Sequence, residues 1–198
     1  MQATIDFYFD FSSSYSYIAL PRLARLVDDH GCRVDWKPIA LGVIFKAMNH
    51  APPSADSTKG RYVWRDVERS AQLAGLAFKW PEPFPFNGMS AARIFWYIAD
   101  SDMDKAVDWA RAVFHASFGE GRDCSNSNVL QAVATGLGLN GQELLEATGN
   151  EAVKEKLKQV TGEAMERGIF GAPTFLLGEE MFWGGDRLEQ LERHIGGD

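Results

Sequence analysis

The start of the chain places a strand, a helix and a second strand in immediate succession. Apolar and polar residues alternate at 4–11, a period of two that predicts a half-buried strand. Apolar residues follow at helical spacing at 17–27, where Pro21 predicts a kink, and 32–41 has the character of a second strand. Because two strands joined by one helix pack in parallel, this order predicts a βαβ unit.

Helical periodicity dominates the middle of the chain, and strand character returns only near its end. A helical stretch begins at 62 and is interrupted by a proline-rich segment at 80–86. Further helices are predicted near 104–118, 128–135, 142–147, 151–167 and 187–194. Short strands are predicted at 174–177 and 181–183, on either side of a turn at Gly178. We therefore expect an α/β domain interrupted by a helical insertion.

Composition and charge narrow the classes of function. A net charge of −7 with no uninterrupted basic run argues against nucleic-acid binding. We find no apolar run of membrane-spanning length and no signal-peptide pattern, and so expect no membrane partner. Cys32 and Cys124 lie far apart, which argues against a disulfide framework and favours a reducing compartment. We expect a cytoplasmic protein.

Two other patterns have simple structural explanations. The sequence G-L-G-L-N-G at 136–141 matches a dinucleotide-binding pattern, but a helix precedes it where that motif needs a strand. It is therefore predicted to be a turn between helices. The four histidines are scattered without ligand spacing, so we expect no metal site.

Serines cluster where the first predicted strand meets the first helix. Ser12, Ser13, Ser14 and Ser16 lie within five positions, and a hydroxyl there caps the helix or faces its positive end. Near the other end of the chain, Pro173 opens a strand in the sequence G-A-P-T-F. Since X–Pro bonds are the usual site of cis peptides, the combination with the serines favours a cis bond before Pro173.

The order of these elements resembles the thioredoxin fold with a large helical insertion. Thioredoxin-like oxidoreductases have C-x-x-C where this chain has Ser13 and Ser16. Because thiol–disulfide exchange requires a thiolate, dithiol chemistry is excluded at this position. The resemblance implies a thioredoxin-like domain formed by 1–45 and 161–198, with the insertion at 46–160.

Four segments are similar to one branch of that fold. D-F-S-S-S-Y-S-Y at 10–17 resembles the D-F-x-S-P-Y-S-Y start of the DsbA-like branch that contains 2-hydroxychromene-2-carboxylate isomerases and kappa-class glutathione transferases. F-G-A-P-T-F at 170–175 is similar to its F-G-V-P-T-F, and W-G-G-D-R-L at 183–188 to its W-G-N/S-D-R-L. F-G-E-G-R-D at 118–123 matches an internal W/F-G-E-G-R-D. The resemblance spans essentially the whole chain.

The resemblance implies a glutathione site with named residues. Ser13 would be the catalytic serine that holds the thiolate of glutathione. Ala172, before cis Pro173, would pair its backbone with the cysteine of the tripeptide. The γ-glutamyl end would meet Trp183, Gly184, Gly185 and Asp186. Asp186 also precedes the last helix, so we expect it to bind the γ-glutamyl ammonium, to cap that helix, or both.

The chain departs from the family pattern at three of these positions. Ser14 replaces the usual proline, which loosens the turn. Ala172 replaces valine or leucine, which keeps the backbone contact to glutathione and makes the side chain beside it smaller. Gly185 replaces asparagine or serine, which removes any side-chain contact there.

The physical chemistry of a thiol supports the role given to Ser13. A thiol of reference pKa, about 8.5, is mostly protonated at neutral pH. One charge-assisted hydrogen bond stabilises the anion by roughly 1.5–3 kcal/mol, or about one to two pKa units, and a helix N-terminus adds to it. Capping alone is the alternative for Ser13, and capping or solvent exposure is the expectation for Ser12 and Ser14.

An isomerase of this family would act on an aromatic carboxylate, which needs local cations or amide donors. The candidates are Lys46, Asn49, Lys59, Arg61, Asn87 and Arg93, although each of the charged ones is more often a solvated surface residue. Trp64, Phe84 and Phe86 would line a pocket for an aromatic substrate, although packing in the core is the default expectation for all three. The alternatives are a kappa-class-like transferase and a thioredoxin-like binding module without activity. Relatives in this family are commonly dimers, so we expect a homodimer.

Overall fold

The computed structural model describes residues 2–52 and 54–197, which form one four-stranded sheet with helices on both faces. Residues 1, 53 and 198, which belong to the predicted domains, lie outside the described part. The strands are β1 (Thr4–Phe9), β2 (Arg33–Pro38), β3 (Thr174–Leu177) and β4 (Glu180–Trp183). Their order is β2-β1-β3-β4, with β1 parallel to β2 and the other two pairs antiparallel. The predicted βαβ unit and the α/β fold are confirmed.

The described residues also form nine α-helices. They are α1 (Ser14–His30), α2 (Leu41–Ala47), α3 (Thr58–Leu73), α4 (Met89–Ala99), α5 (Met103–Phe114), α6 (Ser127–Gly136), α7 (Gly141–Ala147), α8 (Glu151–Glu166) and α9 (Leu188–Gly196). One π-helical turn, His115–Gly119, extends α5, and one 3₁₀ turn, Gly185–Arg187, precedes α9. Within the described ranges, no helix is both long and apolar enough to cross a bilayer.

Most element bounds follow the sequence pattern, and the exceptions have local causes. The second strand ends at Pro38 and α2 begins at Leu41, so the predicted strand over 32–41 is too long. Helix α1 runs through Pro21 without ending, and the kink there stays a prediction. Helix α8 is continuous across residue 160, the predicted end of the insertion, so the division into domains also stays a prediction. The turn at 136–141 joins α6 to α7, as predicted.

The sheet is covered on both faces by apolar packing. On one face, Phe7 stacks on Phe175 with ring centroids 5.1 Å apart and meets Trp36 edge-on at the same distance. On the other face, Tyr8 packs with residues of α2 and α8. Burying both faces removes a large apolar area from water, which is the main favourable term in folding.

Strand directions bring three separate segments to one edge of the sheet. Because β3 is antiparallel to β1, the start of β3 lies beside the end of β1, with Thr174 opposite Tyr8. Because β4 is antiparallel to β3, its end lies there too, with Trp183 opposite Thr174. The serines after β1, the proline before β3 and the W-G-G-D segment after β4 therefore meet, although up to 170 positions of sequence separate Ser13 from Trp183.

Candidate active site

Ser13 occupies the N-cap of α1 in extended backbone conformation. Its Oγ accepts a hydrogen bond from the backbone N–H of Ser16 at 3.2 Å, and its own N–H donates to the carbonyl of Asp10 at 2.9 Å. These bonds satisfy backbone groups that a helix start otherwise leaves unpaired. The hydroxyl is therefore fixed at the positive end of the α1 dipole.

The same hydroxyl reaches across to the loop before β3. Ser13 Oγ donates to the carbonyl of Ala172 at 3.0 Å, and the Ala172–Pro173 peptide bond is cis. The cis bond before Pro173 that the sequence favours is therefore present. This contact brings Ser13, Ala172 and Pro173 together in one small area.

Backbone bonds hold the proline loop against the end of β4. Gly184 N–H donates to the carbonyl of Pro173 at 2.9 Å, and Thr174 Oγ1 donates to the carbonyl of Gly171 at 2.8 Å. The indole of Trp183 lies directly on Gly171, where a Cβ atom would come within 2.4 Å of Nε1. Trp183 is half-exposed and meets Phe170 edge-on at 4.8 Å. Glycine at 171 thus permits an aromatic wall beside the serine.

Residues 184–186 turn sharply between β4 and α9. Gly184 has φ 101°, a conformation that favours glycine, and its missing Cβ leaves space for the Asp186 carboxylate. Gly185 packs on α1, where a Cβ would lie 3.1 Å from that of Ala19. The predicted capping role of Asp186 is wrong, because the N-cap of α9 is Arg187 and no side-chain cap bond forms there. The carboxylate instead lies 3.6 Å from the Arg187 guanidinium at the rim of a groove.

That groove is a cavity of about 1000 Å³ along the outer face of α1. Helix α3 forms one wall, and the end of β4 with the 3₁₀ turn forms the other. Six of the seven predicted cofactor-binding residues line it: Ala172, Pro173, Trp183, Gly184, Gly185 and Asp186. The seventh, Ser13, is not among the lining residues, and it is linked to them through its bond to Ala172. Its size suits a tripeptide with a second small molecule.

The pair Tyr15 and Asp66 also lines the groove, and the sequence did not predict it. The Tyr15 hydroxyl donates to Asp66 Oδ2 at 2.7 Å and so ties α1 to α3. Burial, and next the hydrogen bond to Asp66, raise the pKa of the Tyr15 phenol well above its usual range. The phenol is therefore a neutral donor. No local signal connects two side chains that are 51 positions apart.

Asp10 is the second group that the sequence did not predict. Its Oδ1 accepts from the N–H and from the hydroxyl of Ser12, both at 2.7 Å, and its Oδ2 accepts from Leu41 N–H at 2.9 Å. The Ser12 hydroxyl therefore does not cap α1, which corrects the first part of the expectation for Ser12; the residue is half-buried. The expectation for Ser14 was wrong, because Ser14 is the buried first residue of α1 and Ser13 is the cap.

The predicted second-substrate residues lie apart from the groove. Within the described residues, none of Lys46, Asn49, Lys59 and Asn87 lines it. Lys46 and Asn49 are exposed at the end of α2, and Lys59 is exposed in the first turn of α3. Asn87 is exposed, and its Oδ1 accepts from Met89 N–H at 2.9 Å.

The remaining predicted cations and aromatic residues have structural partners. Arg93 donates to the carbonyl of Thr148 at 3.4 Å, and Arg61 donates to that of Asp56. Trp64 stacks on Trp80 with centroids 4.2 Å apart, and Phe84 meets both rings. Phe86 is buried. These aromatic residues pack against each other or in the core, which was the default expectation for them.

Comparison with known proteins identifies the family and the fold of this chain. A family model described as a DSBA-like thioredoxin domain matches residues 4–196. The chain belongs to this DsbA-like thioredoxin family. It is 34% identical over 194 residues to a 2-hydroxychromene-2-carboxylate isomerase of Pseudomonas putida, covering 97% of this chain and 94% of that one.

A solved structure and a more distant relative also match this chain over nearly its whole length. The structure of a 2-hydroxychromene-2-carboxylate isomerase matches with a TM-score of 0.86 at 32% identity, covering 98% of this chain and 95% of that one. Glutathione S-transferase kappa 1 of Rattus norvegicus is 24% identical, covering 97% and 90%. The predicted family and the thioredoxin-like fold with its helical insertion are confirmed.

Proposed function

We propose that this protein is a glutathione-dependent isomerase that interconverts 2-hydroxychromene-2-carboxylate and trans-o-hydroxybenzylidenepyruvate. The observation that supports it best is the hydrogen bond from the Ser13 hydroxyl to the carbonyl of Ala172, before cis Pro173. That bond places one hydroxyl and one backbone acceptor where a tripeptide thiol would lie. The isomerases at 30–34% identity supply the substrate class.

Binding of glutathione would exchange the partners of these two groups. The cysteinyl N–H of the tripeptide would donate to Ala172 O in place of the serine. The Ser13 O–H would then turn to the sulfur, while the Ser16 N–H bond still holds the oxygen. A hydroxyl has one proton to donate, so it stabilises the thiolate only once Ala172 O has another donor.

The other end of the tripeptide would lie along residues 183–186. The γ-glutamyl ammonium would approach the Asp186 carboxylate, which lies at the rim of the groove, and Trp183 would cover the peptide backbone. The hydrogen bond to Ser13 and the N-terminus of α1 together lower the thiol pKa toward neutrality. The bound cofactor would then be mainly thiolate at neutral pH.

The reaction uses this thiolate as a borrowed nucleophile. Ser13 and Ala172 would hold glutathione so that it supplies a thiolate for reversible addition to the carbon–carbon double bond of the substrate ring. The electron pair of that double bond would shift as the ring C–O bond breaks, which leaves a single bond that is free to rotate. Expulsion of the thiolate would then give the trans product and regenerate glutathione. The substrate carboxylate would be bound by Lys46 or Asn49 at the end of α2, by Lys59 in the first turn of α3, or by Asn87 just before α4.

A kappa-class-like transferase is the second candidate, favoured by the match to the rat enzyme over nearly the whole chain. It would use the same thiolate and release a stable conjugate. Predicted dimerisation and a cytoplasmic location stay predictions in either case.

The test is an ultraviolet difference titration of glutathione into wild-type protein and Ser13→Ala, following thiolate absorbance near neutral pH. We expect a thiolate signal in the wild type that falls at least tenfold in Ser13→Ala, with conversion of the hydroxychromene carboxylate lost in parallel. Ser14→Ala is the matched control, because it removes a neighbouring hydroxyl without a hydrogen bond among the described residues. No thiolate signal at millimolar glutathione would reject both candidates and favour a binding module.

A further inference from the structure

One buried carboxylate lies beside the proposed site without a role in the chemistry above. Asp10 is 8% exposed, directly after β1. A buried charge is costly unless hydrogen-bond donors surround it. Here three donors do so: the N–H and hydroxyl of Ser12 on Oδ1, and the N–H of Leu41 on Oδ2.

A third segment touches the same carboxylate. A Cβ atom at Gly88 would lie 3.5 Å from Asp10 Oδ1, 3.4 Å from Ser12 N and 2.9 Å from Phe11 Cβ. The segment that leads into α4 therefore packs directly on the serines. Asp10 is the point where the serine turn, the start of α2 and the start of α4 meet.

These three segments belong to the two halves of the proposed reaction. In the proposed reaction the serine turn would present Ser13 to the cofactor, whereas Lys46 at the end of α2 and Asn87 just before α4 would meet the second substrate. The distance between thiolate and substrate therefore depends on how the segments are joined. Efficient attack requires the two reacting atoms to be held about 3–3.5 Å apart, and a misplacement of about 1 Å can lower the rate about 100-fold.

The start of α2 has a second anchor besides Asp10. The bond of Asp10 to α2 can therefore be tested separately from its bonds to the serine turn. Ala40 N–H donates to Thr161 Oγ1 at 3.0 Å, and the Thr161 hydroxyl donates to the carbonyl of Leu157 at 2.7 Å. Thr161 thus holds α2 from the side of α8 and, within the described ranges, makes no hydrogen bond to the serine turn. Of the side chains that the structure describes, that of Asp10 alone bonds to both α2 and the turn.

We propose that Asp10 is the positioning residue of this site, which fixes Ser13 and the start of α2 relative to each other. It acts through Ser13 and α2 and does not itself touch the reacting atoms. The inference rests on the proposed function. Only a carboxylate suffices, because the amide of an asparagine has one acceptor oxygen and would present an N–H₂ group to one of the three donors.

Three variants separate the parts of this role. Asp10→Asn keeps an acceptor for Ser12 and loses the one for Leu41. Asp10→Ala removes both acceptors. Thr161→Val removes the other α2 anchor and leaves the serine turn intact. The two measurements are the pKa of the bound glutathione thiol, from ultraviolet titration against pH, and KM and kcat for the hydroxychromene carboxylate.

We expect Asp10→Ala to raise the thiol pKa by at least half a unit and to raise KM severalfold. Loss of a nearby negative charge would by itself lower the thiol pKa, so a rise reports a displaced Ser13 hydroxyl. Asp10→Asn should raise KM without raising the thiol pKa, and Thr161→Val should do the same. Thermal melts establish that each variant is folded, and Asp10→Asn keeps the test decisive if Asp10→Ala does not fold.

The outcomes distinguish this inference from the proposed function. Absence of a thiolate signal in the wild type rejects the proposed function, and the inference with it. With that signal present, three results would each overturn the inference alone. They are an unchanged thiol pKa in folded Asp10→Ala, a raised thiol pKa in Asp10→Asn, and a raised thiol pKa in Thr161→Val.

Discussion

The two halves of the proposed site are built in different ways. The glutathione half rests on the sheet edge, where the Ser13 hydroxyl donates to a backbone carbonyl of the proline loop and a backbone bond links that loop to the end of β4. The second-substrate half consists of exposed side chains at helix ends, such as Lys46 and Lys59, outside the groove. The cofactor half is therefore fixed by bonds between distant segments, whereas the substrate half depends on individual exposed side chains.

The largest effect that separates the halves is expected from Gly88→Ala. The new Cβ would come within 2.9 Å of Phe11 Cβ, an atom attached to the backbone that cannot swing away. Overpacking of this kind costs about 1–3 kcal/mol. Denaturant unfolding should show that loss, and KM for the second substrate should rise.

Gly171→Ala is the matched control for that substitution in the cofactor half. Its new Cβ would meet the Trp183 indole, which is half-exposed and free to move outward. Glutathione affinity should fall while the free energy of unfolding changes little. Equal destabilisation by both substitutions would contradict the difference that we draw between the halves.

A smaller effect is expected from Tyr15→Phe, which removes the bond between α1 and α3. Hydrogen bonds to charged groups contribute about 1.5–3 kcal/mol, and the partly exposed Asp66 places this one at or below the lower end. We expect loss of about 1 kcal/mol in denaturant unfolding and weaker glutathione binding, because α3 is one wall of the groove. Unchanged glutathione affinity would show that α3 holds its place without Tyr15.

Periodicity and family resemblance predicted different parts of the proposed site. Alternation over 4–11 and the strand character of 174–177 and 181–183 predict strands, and strand directions then bring the serines, Pro173 and Trp183 to one edge. The roles of these residues in binding glutathione come from the resemblance to the DsbA-like branch, and they stay predictions. The predicted strands depend on backbone periodicity, which is local. Most element bounds are within a few residues of the prediction for the same reason.

The contacts of Asp10 and Tyr15 have no local signature. Asp10 alternates with apolar neighbours and so reads as an outward strand residue, yet Leu41 N–H binds it from 31 positions away. Helix α2 was missed because Ile39 to Leu41 continues the apolar character of β2. Long-range hydrogen bonds of this kind follow from the tertiary arrangement and cannot be deduced from spacing.

A still smaller effect, confined to the substrate half, is expected from Lys46→Ala. The side chain is exposed, where attraction to an anionic substrate is screened by water and salt. KM for the hydroxychromene carboxylate should rise about two- to fivefold, with glutathione affinity unchanged. Lys158→Ala, a charge change on the exposed part of α8, is the control. An equal change in both variants would mean that Lys46 acts only through net charge.

The smallest effect is expected from Ser14→Pro, which restores the family residue in the cofactor half. Ser14 is the first residue of α1, where a helix tolerates proline because the N–H there has no intrahelical partner. Replacing a flexible residue by proline at a compatible position stabilises a protein by about 0.4–1 kcal/mol, mainly by restricting the unfolded chain. Thermal unfolding should therefore move upward while the thiol pKa of bound glutathione stays constant. A rise in that pKa would instead show that Ser14 shapes the turn that holds Ser13, and would make the cofactor half depend on a second side chain besides that of Ser13.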